Sequence, residues 1–224
     1  MKEYIIKYST EKPSLNGNWD DLTWLFAETA ELKSIRPESD SFAPSVMVKL
    51  LYNEEGISGI FHVQDRYVVC KRTKHMEQVW RDSCAEFFVK PGLGKGYFNF
   101  EFNCIGILHA SYITNPARNE GGFREHSLFT LQDCQEVKTC TSLKKNFENE
   151  IKEPIIWTLQ FFIPFALIAK YAGQINRELP CDWACNFNKC ADDSSHPHWI
   201  TWAPIKELNF HAPESFGKLT FEKR

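Results

Sequence analysis

Apolar and polar residues alternate with a period of two through several short stretches of the chain, the signature of strands with one face turned to a core. In one of them Val46, Val48, Leu50 and Tyr52 stand on one side and Met47, Lys49 and Leu51 on the other. Asn53-Glu54-Glu55-Gly56 then supplies turn chemistry before the run Ile57 to Val63, so the two stretches read as a hairpin. Ser83 to Val89 is a third strand, closed by Pro91-Gly92-Leu93-Gly94. The clearest is Tyr97 to Cys104, where Phe98, Phe100 and Phe102 alternate with Asn99, Glu101 and Asn103. Ile155 to Ile163 reads as a strand, Pro164 opens a short helix through Tyr171, and Cys181 to Lys189 and Leu219 to Phe221 read as later strands. Between Tyr112 and Glu153 the alternation fades into polar sequence, which predicts long loops and one edge strand. Heptads and internal repeats are lacking. Many short strands, frequent turns and little helix predict an all-β fold, an antiparallel β-sandwich of two packed sheets with long loops and one short helix, formed as a single domain over residues 1–224.

Composition supports this reading and removes several classes of function. Of 224 residues, 18 are Phe, 7 Tyr and 7 Trp, a surplus of large rings suited to pleated, half-buried surfaces. The net charge of −3 supplies no basic field, so nucleic acid is not an expected partner. The longest apolar stretch, Ile155 to Ala169, is interrupted by Thr158, Gln160 and Pro164 and falls short of the ~20 residues of a membrane span. Tyr4-Ile5-Ile6 gives way to Lys7, too short for the core of a secretory leader. The expected location is the cytoplasm as the chain stands, or the periplasm or outside the cell if a leader has been removed. The 8 cysteines are expected to be reduced thiols, because a domain of this size buries enough surface without disulfides.

Candidate chemistry follows from side-chain parity. If Phe98, Phe100 and Phe102 face the core, then Asn99, Glu101 and Asn103 line the opposite face about 7 Å apart. Glu86 falls on that same polar side, as do Asn186 and Asn188, while Trp183, Cys185 and Phe187 oppose them. Such a face is either a solvated exterior or a surface for hydroxyl groups; periodicity leaves both open. Trp80, Trp199 and Trp202 lie in turn-like sequence. A sugar ring presents C–H faces to aromatic planes and a rim of hydroxyls to amides and charges, so this mixture suits a saccharide ligand.

Three further chemistries are weighed. Cys181, Cys185 and Cys190 with His196 and His198 hold zinc-type ligands, but the spacings are not those of a zinc knuckle and parity points Cys185 and Cys190 to opposite faces. No motif calls for a cofactor; structural calcium on Asp20, Asp21, Asp192 and Asp193 is the one metal the loops suit. Glu86 and Glu101 make an alternative reading, a glycan-processing hydrolase with paired carboxylates.

The run Trp80-Arg81-Asp82-Ser83-Cys84-Ala85-Glu86-Phe87-Phe88, followed by Tyr97-Phe98-Asn99-Phe100-Glu101-Phe102-Asn103, resembles two segments of the family nine carbohydrate-binding modules and their DOMON-like relatives. Trp19, Val48 to Tyr52, Phe61 to Asp65, Trp157, Ile163-Pro164-Phe165, Asn186-Phe187 and Phe210 to Phe221 follow in the family's order, so the likeness covers essentially the whole chain. It implies a non-catalytic β-sandwich that binds a chain end or a mono- or disaccharide between two tryptophans. Trp80 and Glu86 match the first stacking indole and a sugar-bonding carboxylate, and Trp199 and Trp202 both fall where the second indole belongs. Asn99 and Glu101 join the candidate binding set from the polar face of their strand, and Arg72, Asn188 and Lys189 by their proximity in sequence.

Overall fold

The computed structural model describes residues 1–92, 94–143, 147–175 and 183–223. In chain order the strands are β1 (Glu3–Tyr8), β2 (Thr29–Leu32), β3 (Ser34–Ile35), β4 (Ser45–Tyr52), β5 (Gly56–Asp65) and β6 (Val68–Cys70). Then come β7 (Cys84–Lys90), β8 (Tyr97–Asn103), β9 (Leu108–Asn119), β10 (Gly122–Leu128), β11 (Lys138–Thr141) and β12 (Phe147–Ile151). The last four are β13 (Ile155–Pro164), β14 (Ala184–Cys190), β15 (Trp199–Thr201) and β16 (Gly217–Phe221). Two short helices, α1 (Leu131–Glu136) and α2 (Phe165–Ala172), interrupt them.

One sheet runs β10-β9-β8-β7-β14-β16-β1 and the other β1-β4-β5-β13-β11, giving an all-β sandwich. The predicted hairpin is β4–β5, with Tyr52 opposite Ile57, and its turn is held by the Asn53 side chain accepting from the amides of Glu55 and Gly56. Among the described residues pairing is antiparallel except at β1, which lies parallel to β16 through its first residues and to β4 through Lys7 and Tyr8, so one strand belongs to both sheets.

The core forms where the inner faces meet. Phe87, Phe102 and Phe187 from the first sheet pack on Phe61 and Phe161 from the second: the Phe102 and Phe161 rings stack at 5.3 Å, and Phe87 and Phe161 at 5.8 Å. Each such ring, fully removed from water, contributes about 1.5–3 kcal/mol. The phenylalanines of the β8 alternation thus sit where parity requires, yet every residue of β8 is buried. Its polar face is covered as well, and what covers it is the wall of a cleft.

The structure differs from expectation in the middle third. Residues 112–153 hold the end of β9, all of β10–β12 and α1 rather than loops with one edge strand. β10 has apolar residues only at its ends, Phe123 and Leu128, and is largely exposed, so no apolar alternation marks it. α1 begins with a capping box in which the Thr130 hydroxyl accepts from the Asp133 amide and Asp133 accepts from the Thr130 amide. Among the described residues no helix is long and apolar enough to cross a membrane.

Candidate functional site

Strand register places four polar residues in one transverse row on the outer face of the first sheet. Asn188 on β14 stands opposite Glu86 on β7, Glu86 opposite Glu101 on β8, and Glu101 opposite His109 on β9. A neighbouring row holds Phe88, Asn99 and Ser111, and on the other side Cys190 stands opposite Cys84. Glu86, Glu101, His109, Asn99, Ser111 and Cys190 form the floor of a cleft of about 770 Å³.

The walls come from loops and from the hairpin β9–β10. Trp80 sits on a single 3-10 turn, Val79–Arg81, with its indole edge-on to His109 at 5.1 Å. That turn is anchored by buried Asp82, which accepts from the amides of Lys71 and Arg72 and from Asn103 Nδ2. Trp199 opens β15 opposite Cys190. Asp192 links the Trp80 backbone to the Trp199 indole: its amide donates to the Trp80 carbonyl at 3.4 Å, and its carboxylate accepts from Trp199 Nε1 at 2.9 Å. On the far side the hairpin contributes Arg118, whose guanidinium covers the Phe123 ring at 3.8 Å, and the C-terminal loop contributes His211, 4.4 Å from that ring.

On the floor nearly every hydrogen-bonding atom is already engaged. Asn99 Oδ1 accepts from the Ser111 amide and hydroxyl, while Asn99 Nδ2 donates to Glu101 Oε1 at 2.8 Å. Asn188 Nδ2 donates to Glu86 Oε2 at 3.1 Å, and the Cys190 thiol donates to Glu86 Oε1 at 3.2 Å. Among the described residues of this row, the exceptions are Glu101 Oε2, on the cleft floor, and Asn188 Oδ1, both buried with no hydrogen-bond partner. Burial, and then the like charge of Glu101, push the Glu86 carboxyl well above the usual carboxylate range; burial also raises Glu101, opposed by His109, Asn99 and Arg118. Burial, with Arg118 and His109 nearby, lowers His211 to about 3, so its 4.0 Å approach to Glu101 is that of a neutral ring.

Of the residues singled out from the sequence, Trp80, Trp199, Glu86, Asn99 and Glu101 converge on this cleft. Asn188 reaches it through Glu86. Three others lie elsewhere. Trp202 is a core residue, edge-on to Tyr4 and Phe187, and its ring fills the space beside Gly217, where a Cβ would come within 2.4 Å of it. Lys189 points to the opposite side of β14 from Asn188; fully buried, it donates to the Cys190 carbonyl, meets His198 Nε2 at 2.8 Å and pairs with Asp65 at 3.6 Å. Arg72 bridges Asp82 and Asp193 and braces the Trp80 loop rather than lining the cleft.

The suggested metal groupings are also rearranged. Asp193 is taken by Arg72 and Arg81, Asp192 by Trp199, and Asp21 caps a 3-10 turn at Thr23. Among the described residues neither Asp20 and Asp21 nor Asp192 and Asp193 gather a third acidic, His or Cys ligand. Cys181 lies outside the described residues, Cys185 faces the core, His196 stacks on Tyr67 and His198 is held by Lys189. Cys190 instead meets Cys84 and Glu86. Sequence reasoning missed the hairpin residues Arg118 and Phe123 and the pairing of Cys84 with Cys190; the Glu101–His109 pairing was the one signal within reach, since β8 and β9 are adjacent in the chain.

The family model for carbohydrate-binding family 9 matches residues 23–221. Among solved structures, a candidate carbohydrate-binding protein from Bacteroides uniformis superposes with a TM-score of 0.83 at 24% identity, over 99% of each chain. A carbohydrate-binding module of family 9 from Caldicellulosiruptor kristjanssonii, in complex with cellotriose, superposes with a TM-score of 0.64 at 13% identity, over 100% of this chain and 95% of that one. Its complex with glucose gives the same score and identity, over 100% and 97%. No curated protein matches the chain.

Proposed function

Because the chain belongs to carbohydrate-binding family 9, we propose that its cleft binds a saccharide without chemical conversion, one sugar ring lying against the indoles of Trp80 and Trp199. The observation that carries this reading is Glu101 Oε2, a buried carboxylate oxygen left without a partner on the floor of a cleft that both indoles line. An acceptor in that position is costly to bury empty and is satisfied by a hydroxyl brought in from outside. Asn99 holds Glu101 in place from the side through its Nδ2, so it positions the acceptor rather than meeting the sugar. Arg118 and Asp192, at the rim, supply charged groups for further hydroxyls. The relatives bound to cellotriose and glucose direct the choice of first ligands.

The test is a calorimetric and tryptophan-fluorescence titration with glucose, cellobiose and cellotriose, widened to a glycan array. One site per chain is expected, with Trp80→Ala and Trp199→Ala each weakening binding by about 1–3 kcal/mol. Glu101→Gln is expected to weaken it while the protein stays folded. An array without a binder among mono- and oligosaccharides overturns the reading. Hydrolysis of aryl glycosides, abolished by both Glu86→Gln and Glu101→Gln, would replace it with a hydrolase.

A further inference from the structure

Beneath the Trp199 side of the cleft lie two thiols that the sugar reading does not use, beside the carboxyl of Glu86. Cys84 and Cys190 face each other across β7 and β14, and one oxygen of Glu86 reaches both thiols: Oε1 is 3.2 Å from Cys190 Sγ and 4.0 Å from Cys84 Sγ. All three ligand atoms lie within 4.8 Å of one another, and all three residues are buried. Among the described residues no lysine, arginine or histidine forms an ion pair with Glu86. The buried Glu86 carboxyl is therefore flanked by two sulfurs, with no cationic side chain paired to it among the described residues.

We propose that Cys84, Cys190 and Glu86 bind a thiophilic divalent cation of the zinc type, with a fourth coordination position opening into the cleft. Bonds of about 2.3 Å to sulfur and about 2.0 Å to oxygen give a tetrahedron with sulfur–oxygen edges of about 3.5 Å and a sulfur–sulfur edge of about 3.8 Å. The observed 3.2 and 4.0 Å bracket the first of these, so a small change in side-chain torsion closes the site. Two sulfur ligands select a soft or borderline cation over calcium or magnesium. Asn188 already supplies the outer support such sites use, donating to Glu86 Oε2 and leaving Oε1 turned to the sulfurs. Cys190 and Glu86 line the cleft, which provides both the entry path and the open position. Binding displaces the proton of each thiol, so every metal ion taken up releases two protons, and a third when Glu86 carries one. The site stands whether or not the cleft takes a sugar.

The probes are Zn²⁺ and Co²⁺ alone, added without saccharide to reduced, metal-free full-length protein whose thiols have been counted. Expected are one ion per chain, proton release of two or three per zinc, and for cobalt a near-ultraviolet thiolate charge-transfer band with tetrahedral visible absorption. Cys84→Ser and Cys190→Ser should each remove that band, and Asn188→Ala should weaken zinc about 10- to 100-fold. Should the serine variants fail to fold, the cobalt spectrum and proton count of the unaltered protein decide alone. No stoichiometric uptake, uptake without the charge-transfer band, or uptake unchanged in folded serine variants overturns the proposal.

Discussion

His211 gives the sharpest test of the electrostatics at the cleft. Its ring is packed against Phe123 and Phe88, its Nδ1 shares a hydrogen bond with the Tyr97 hydroxyl at 3.1 Å, and its value falls from the ordinary 6.5 to about 3. Below pH 6.5 the unfolded chain takes up a proton at this position that the folded chain refuses, so its contribution to stability is intact above that pH and is lost as pH falls toward 3. At pH 5 the loss extends over about 1.5 pH units at about 1.4 kcal/mol each, or about 2 kcal/mol. Glu86 and Glu101 act with the opposite sign, because their raised values return stability as pH falls, and the total acid limb therefore hides the histidine. Comparison with His211→Asn isolates it, since the amide can keep the bond to Tyr97 and both carboxyls remain. Urea unfolding followed by tryptophan fluorescence from about pH 7.5 to about pH 5 should find that the unaltered protein loses about 2 kcal/mol more than the variant. Parallel losses, or an imidazole proton resonance that titrates near 6.5, would refute the reasoning.

Two further outcomes follow from the fold. Asp133, covered by Thr130, Lys170 and Tyr171, is held well below the usual carboxylate range because those donors outweigh the cost of its burial. Asp133→Asn should cost about 2–3 kcal/mol near neutral pH, and the cost should shrink below about pH 4 as the unfolded chain takes up a proton at Asp133 that the folded chain refuses; chemical denaturation across that range checks both. Trp202→Ala should cost about 3–5 kcal/mol of stability by emptying a core site, while variants of the two cleft tryptophans should unfold near the temperature of the unaltered protein in a calorimetric scan.

The legible parts of this molecule were those written in local alternation. β8 could be read residue by residue, because Phe98, Phe100 and Phe102 mark one face and Asn99 and Glu101 the other. Alternation separates two faces but does not say whether the polar one meets bulk water or a cleft; that depends on Trp80 and the hairpin β9–β10, which arrive from elsewhere in the chain. β10 has no buried face to pattern, so Phe123 and its neighbours read as loop. Trp202 sits among turn-like residues and is nonetheless core, since Gly217 leaves room for its ring. The parallel seams of β1 and the meeting of Cys84 with Cys190 join residues far apart in the chain, and no periodicity encodes a partner at such a distance. The family likeness pointed to Trp80 and Glu86, whereas proximity in sequence alone brought in Lys189 and Arg72, which the fold employs as internal braces.

The row of acids and amides laid across β14, β7, β8 and β9 also sets how this protein responds to selection in the laboratory. A sheet face that holds two facing carboxyls and two unanswered oxygens is a locally frustrated surface, less stable than the same strands bearing apolar residues of equal size. Libraries screened only for heat resistance will therefore drift toward replacement of Glu86 and Glu101, and the fittest survivors of such a screen will be well-folded shells with a blank floor. Thermostabilisation that keeps the cleft must be sought between the sheets, where the rings around Phe161 lie on the inner faces, turned away from the polar row.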